Sequence, residues 1–198
     1  VNSFGEAENA YREALEIYQA LAEQDPDTWL PEVAGALGNL GAMLYENQSQ
    51  TEAEKVFREA LGIHRKLAET YPDEVLPDIA ITLNNLGNLL IENMDYVEAE
   101  KAYRESLDIR RKLVAQHPDD ILPLLANTLN NLGGLLSDNQ DFAEAETTYR
   151  EALEIGRKLA AKNPAAYLGV LADALNNLGN LLAKNQDRVV LSVLKKAS

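Results

Sequence analysis

Leu83, Leu86 and Leu90, with Gly87 among them, fall on one stripe of a helix. A second stripe follows a few residues later, made by Ala99, Ala102, Tyr103, Ser106, Leu107, Ile109, Leu113 and Val114. Between the two lies a short polar stretch around Asn93-Met94-Asp95. A connection that short makes its two helices antiparallel neighbours. The pattern therefore predicts a helical hairpin.

The hairpin is repeated. Asn39-Leu40-Gly41 recurs as Asn85-Leu86-Gly87, Asn131-Leu132-Gly133 and Asn177-Leu178-Gly179, each time after 46 residues. Glu-Ala-Glu-x-x-aromatic-Arg-Glu begins at Glu6, Glu52, Glu98 and Glu144 in the same step, with Asn9 and Ala10 filling out its first copy. Pro26, Pro72, Pro118 and Pro164 mark the same period. No insertion breaks the register, and an ordinary single-core globule does not produce such self-similarity.

The links are legible too. Pro118 lacks an N–H and turns His117 away from the helical region, so the preceding helix should stop there. Asp119 or Asp120 is then expected to cap the next helix, with Pro123 in its first turn.

Leu83-x-x-Leu86-Gly87-x-x-Leu90, then Ala99-x-x-x-Tyr103, Ser106 and Pro118, resembles the tetratricopeptide repeat. The pattern returns at Leu37, Leu40, Gly41, Leu44, Ala53, Phe57, Ala60 and Pro72, and at Leu129, Leu132, Gly133, Leu136, Ala145, Tyr149, Ala152 and Pro164. The period of 46 residues departs from the family's usual length of about 34. Thr-Leu-Asn-Asn-Leu-Gly at 82–87 and Glu-Ala-Glu at 98–100 look like the long repeats of kinesin light chains. Similar arrays occur in prokaryotic multidomain sensor proteins. The expected fold is all-α, a right-handed α-α superhelix of antiparallel hairpins with about nine helices. The expected division is an unpaired outer helix over 1–27, repeats over 28–72, 73–118 and 119–164, and a fourth repeat over 165–198. The fourth is expected to end in a degenerate closing helix, with Leu191 where Ala145 stands one period earlier and Lys195 where Tyr149 stands.

Charge narrows the partners. The net charge is -14, which repels nucleic-acid phosphates and anionic membrane surfaces and favours neutral or basic proteins and peptides. With no cysteine, disulfides and thiolate metal sites are excluded. That composition fits a reducing compartment, and a cytoplasmic location is the expectation. No apolar run approaches the roughly 18 residues of a membrane span. The chain opens at Val1 without a basic and apolar leader, which reads as a fragment of a longer scaffold or sensor protein.

The resemblance implies that the first helix of each repeat lines a concave face that holds a partner's peptide segment. Positions on these helices that avoid the leucine stripe are rich in asparagine. Asn84, Asn88, Asn127, Asn130, Asn176 and Asn180 are the expected partner-binding amides, since one amide can both donate to and accept from an extended backbone. Tyr45, Glu46, Glu92 and Asp138 complete the candidate set and make one rim acidic. Lys184 is the single cation among the candidates, so the carboxylate clamp of some family members is not expected. Asn39, Asn85, Asn131 and Asn177, beside the core leucines, are expected to hold neighbouring helices together.

No catalytic constellation appears, and no cofactor or metal is expected. His64 and His117 lack ligating neighbours on their own helix faces. Each Glu-Ala-Glu carboxylate at 8, 54, 100 and 146 has an arginine four residues on, a surface pair worth about 0.2–0.5 kcal/mol. The alternative to peptide binding is self-assembly through the terminal helices, giving a homo-oligomer.

Overall fold

The computed structural model describes the backbone of residues 3–197 and the side chains of residues 4–186. Its described residues form eight helices and no strand. They divide into two compact units, Val1–Ile109 and Arg110–Ser198.

The first unit contains α1 (Ser3–Ala22), α2 (Pro26–Glu46), α3 (Gln50–Leu67), α4 (Pro72–Glu92) and most of α5 (Tyr96–Leu113). Helix α2 packs against α1 and α3, α3 also packs against α4, and α2 touches α4. Each hairpin carries a close glycine–ring contact. A Cβ on Gly41 would stand 2.7 Å from Cδ1 of Phe57, and one on Gly87 would stand 2.6 Å from Cε1 of Tyr103. Only glycine lets the ring of the second helix lie on the backbone of the first. Phe57 is fully buried there, which contributes about 2–3 kcal/mol. In α5 the buried hydroxyl of Ser106 donates to the carbonyl of Ala80 at 2.7 Å. Trp29 stacks on Tyr18 with ring centroids 6.0 Å apart, so its place is a local packing contact.

The second unit begins at Arg110 and contains α6 (Pro118–Asp138), α7 (Phe142–Lys162) and α8 (Pro164–Ala197). Helix α7 packs on α6 and α8. The glycine–ring contact recurs, with the Gly133 Cβ position 2.7 Å from Cε1 of Tyr149.

Helix starts differ from the expectation. Helices α2, α4 and α6 begin at the prolines themselves, and the caps are Asp25, Tyr71 and His117. Asp119 and Asp120 lie in the first turn of α6 and do not cap it. Proline suits the first helical position because its missing N–H has no partner to lose there. Pro31, Pro77 and Pro123 lie inside the helices. Each deprives the carbonyl four residues back of its donor. Those carbonyls belong to Asp27, Asp73 and Asp119, all exposed, so water can satisfy them.

The corners between paired helices turn through Gln48, Met94 and Gln140, with φ of 60°, 61° and 65°. No such residue occurs at Gln186, one period later, and α8 runs without a break to Ala197. The structure thus has one long helix where a fourth repeat and a separate ninth helix were expected. The substituted positions of the tail explain the difference, because Leu191 and Lys195 replace the small residue and the ring that close the other hairpins. The expected stripe of Val190, Val193, Leu194 and Ala197 lies outside the side chains described.

The four expected surface pairs are present, from Arg12 to Glu8 (2.8 Å), Arg58 to Glu54 (2.9 Å), Arg104 to Glu100 (2.8 Å) and Arg150 to Glu146 (2.7 Å). Three further pairs span 40 residues and tie consecutive second helices within a unit, namely Arg12–Glu52, Arg65–Glu105 and Arg111–Glu151.

Candidate functional site

The first helices of the hairpins are α2, α4 and α6, and α8 occupies the corresponding place one period later. In the first unit, α2 and α4 leave a cleft of about 320 Å³ between them. Gly35, Gly38, Asn39 and Ala42 form one wall, Asp78, Ile81, Thr82 and Asn85 the other, and Phe57 and His64 from α3 line it as well. Thr82 is turned inward, its hydroxyl donating to the carbonyl of Asp78 at 2.8 Å.

His64 is buried to 3% exposure, and its Nδ1 has no hydrogen-bond partner among the described residues. Burial lowers its pKa below the ordinary 6.5, against the opposing pull of the Asp78 carboxylate. One period later stands Arg110, also buried, which donates to the Leu124 carbonyl and to Oγ1 of Thr128. Desolvation brings that guanidinium down to about 10. A further period on, Gly156 lies against the α8 backbone, its Cβ position 3.1 Å from Cα of Leu171. The same place in the repeat therefore holds an imidazole, a guanidinium and a bare backbone.

The predicted amides have different surroundings. Asn84 is buried, at 7% exposure, where an exposed groove position was expected. It follows Leu83 on the side of α4 that faces the core, and that side is wider than the leucine stripe suggests. Asn88 is half-buried, and its Oδ1 accepts from the Tyr103 hydroxyl at 2.7 Å. Asn130 is half-buried, with Oδ1 sealed from solvent and no hydrogen-bond partner among the described residues. Asn127 is exposed and accepts from Nδ2 of Asn131 at 3.4 Å. Asn176 and Asn180 are exposed on α8.

The acidic rim is already engaged in part. Glu92 accepts from the Tyr45 hydroxyl at 2.6 Å through Oε1 and from Nε2 of Gln50 at 2.7 Å through Oε2. Desolvation, and then the hydrogen bond to Glu92, push the half-buried Tyr45 hydroxyl up to about 12. Asp138 pairs with Lys184 at 3.2 Å, so the one cation of the candidate set faces an acid. Glu46 is exposed and borders a second cleft with Phe4, Ala7 and Tyr11.

Sequence reasoning passed over Asn39, Asn85, His64 and Asp78 as groove residues. The signal for them was present in Gly35 and Gly38, two mid-helix glycines with no aromatic sixteen residues on. Among the described residues no group of His, Asp and Glu is arranged to hold a metal ion, and no helix is long and apolar enough to cross a membrane.

Comparison with known proteins gives a consistent picture. Two tetratricopeptide repeat families match, one over residues 79–119 and 125–163 and another over residues 1–73. No curated protein matches the sequence significantly. Among solved structures, BtubC (BKLC) from P. vanneervenii is similar with a TM-score of 0.69 and 22% identity, over 94% of this chain and 68% of that one. The apo form of RapI is similar with a TM-score of 0.71 and 22% identity, over 98% of this chain; the chain spans 48% of its length. The glycine–ring hairpins, the 46-residue register and these matches agree that the chain belongs to the tetratricopeptide repeat family.

Proposed function

We propose that the chain is a protein-interaction module, part of a larger scaffold or sensor, that holds a neutral or basic peptide segment of a partner along the asparagine-rich face of its first helices. The observation that carries this reading is the make-up of that face. Asn127, Asn176 and Asn180 are exposed in mid-helix, where asparagine is a poor helix former. Their local cost is offset if the amides serve an extended backbone, to which each can offer a donor and an acceptor. The net charge of -14 adds a general preference for basic segments.

The test is selection from a displayed peptide library, followed by affinity measurement for the chain and for Asn127→Ala/Asn176→Ala/Asn180→Ala. The reading expects selected peptides to bind the triple variant about tenfold or more weakly, equivalent to about 1.4 kcal/mol. Selected peptides that bind both proteins equally would place recognition elsewhere.

A second reading, self-association through terminal helices, has one observation in its favour. Leu168, Leu175 and Leu182, spaced by seven on α8, are all exposed. Beside them a Cβ on Gly179 would meet nothing within 4 Å, unlike Gly41, Gly87 and Gly133 under their rings. Sedimentation of the chain and of Leu175→Glu/Leu182→Glu tests it: a monomer at all concentrations ends this reading, and an oligomer dissolved by the variant supports it.

A further inference from the structure

Gly35 and Gly38 lie in the middle of α2. A mid-helix glycine costs about 1 kcal/mol relative to alanine. Gly41 recovers that cost through the ring of Phe57, but a Cβ on Gly35 or Gly38 would meet nothing within 4 Å. No packing inside the chain explains them. The other established use of glycine is to let something outside the chain approach the backbone closely, and both glycines face the cleft between α2 and α4.

The rest of the cleft states what would approach. Asp78 brings a carboxylate to the opposite wall, and no cation stands among the lining residues. An anionic group entering there would meet that charge at close range, whereas a cation would be drawn to it. His64 adds an independent sign of incompleteness. It is buried to 3% exposure, it lines the cleft, and its Nδ1 has no partner among the described residues. Buried polar side-chain atoms are normally satisfied, and an exception calls for an explanation. Nδ1 itself is sealed from solvent, and an imidazole with no fixed partner can carry its proton on either nitrogen, so the ring need not turn a proton toward an incoming cation.

We propose that the cleft between α2 and α4 is a subsite for a lysine or arginine side chain of the bound partner, whose methylenes lie across Gly35 and Gly38 and whose cationic end is held by Asp78 beside the His64 ring. The subsite rests on the peptide-binding reading and gives it a specific anchor. Asn39 and Asn85 flank it and are placed to hold the main chain on either side of the anchored residue.

The experiment uses four acetylated and amidated pentapeptides, Ala-Ala-X-Ala-Ala, with X as lysine, arginine, norleucine or glutamate. Binding to the full chain is read from NMR shifts of the Gly35, Gly38 and Ile81 amides and the His64 ring. The lysine and arginine peptides are expected to move these signals, with a Kd about tenfold or more below that of the norleucine peptide. Asp78→Asn is expected to remove that advantage. Gly38→Leu, which enters open space and favours the helix, is expected to block the cleft in a folded protein. A norleucine peptide that binds as well as lysine overturns the assignment, as does an Asp78→Asn variant with unchanged lysine affinity or a cleft silent to all four peptides. Each of these results leaves the wider peptide-binding reading to the library selection, so the two can fail separately.

Discussion

The hydroxyl of Tyr103 donates to Oδ1 of Asn88 at 2.7 Å, across the hairpin formed by α4 and α5. The neighbouring repeat has Phe57 and Ala42 in these two places, and the next has Tyr149 and Gly134. Where the ring has no hydroxyl, the facing residue has no acceptor. Burial raises the Tyr103 pKa, so the hydroxyl stays protonated as the donor. Asn88→Ala should therefore cost about 1–3 kcal/mol by leaving that hydroxyl without its acceptor. Adding Tyr103→Phe should recover part of the loss, since the double variant recreates the Phe57/Ala42 pairing. A urea-denaturation double-mutant cycle checks this; strict additivity of the two substitutions would mean the bond contributes nothing.

Gly35 of α2 and Gly87 of α4 should respond in opposite directions to alanine. At Gly87 the new Cβ would stand 2.6 Å from the Tyr103 ring, and overpacking of this kind costs about 1–3 kcal/mol. At Gly35 it meets nothing within 4 Å, so Gly35→Ala should gain about 0.5–1 kcal/mol from helix propensity and reduced freedom of the unfolded chain. Thermal melts of the two variants on either side of the parent would bear this out; a stable Gly87→Ala protein would contradict the close ring contact.

His64 makes stability depend on pH with a definite sign. Burial holds its folded pKa below the ordinary 6.5, so between those two values the unfolded chain binds more protons than the folded one. The stability contributed by neutral His64 is full above pH 6.5 and is lost as pH falls toward the folded pKa. Denaturation midpoints should decline across that window, and His64→Gln should show a shallower decline. Equal slopes for the two proteins would remove His64 as the source.

Arg110 should tolerate shortening poorly. Its guanidinium donates to the Leu124 carbonyl and to Thr128 Oγ1 from a buried position. Arg110→Ala leaves a void and withdraws those donors, with an expected loss of about 2–4 kcal/mol. Arg110→Met fills most of the space without bringing a charge out of water, and buried charges replaced by apolar groups are often near neutral. Chemical denaturation that ranks methionine below alanine would refute this account.

The hairpins were legible because period and spacing encode them: a leucine stripe, a glycine, and an aromatic residue sixteen positions later. The helix starts were misplaced by one or more residues because Pro118 can end one helix and begin the next with the same missing N–H. The exposed amides Asn127, Asn176 and Asn180 were found, since outward positions follow from helical geometry. Asn84 was not, because the side of a first helix that faces its neighbours is broader than the stripe that names it. The cleft between α2 and α4 left only a partial trace, the mid-helix glycines Gly35 and Gly38 with no aromatic sixteen residues on. His64, Asp78 and Gly35 come from three helices, and no sequence spacing records that they meet.

The three corners at Gln48, Met94 and Gln140 hold side-chain-bearing residues in the left-handed region. Such a residue costs about 1–2 kcal/mol there, of which glycine would relieve all but the roughly 0.5–1 kcal/mol lost to its greater freedom when unfolded. Each of these three bends is thus a site at which this protein can be made hardier by a single small residue.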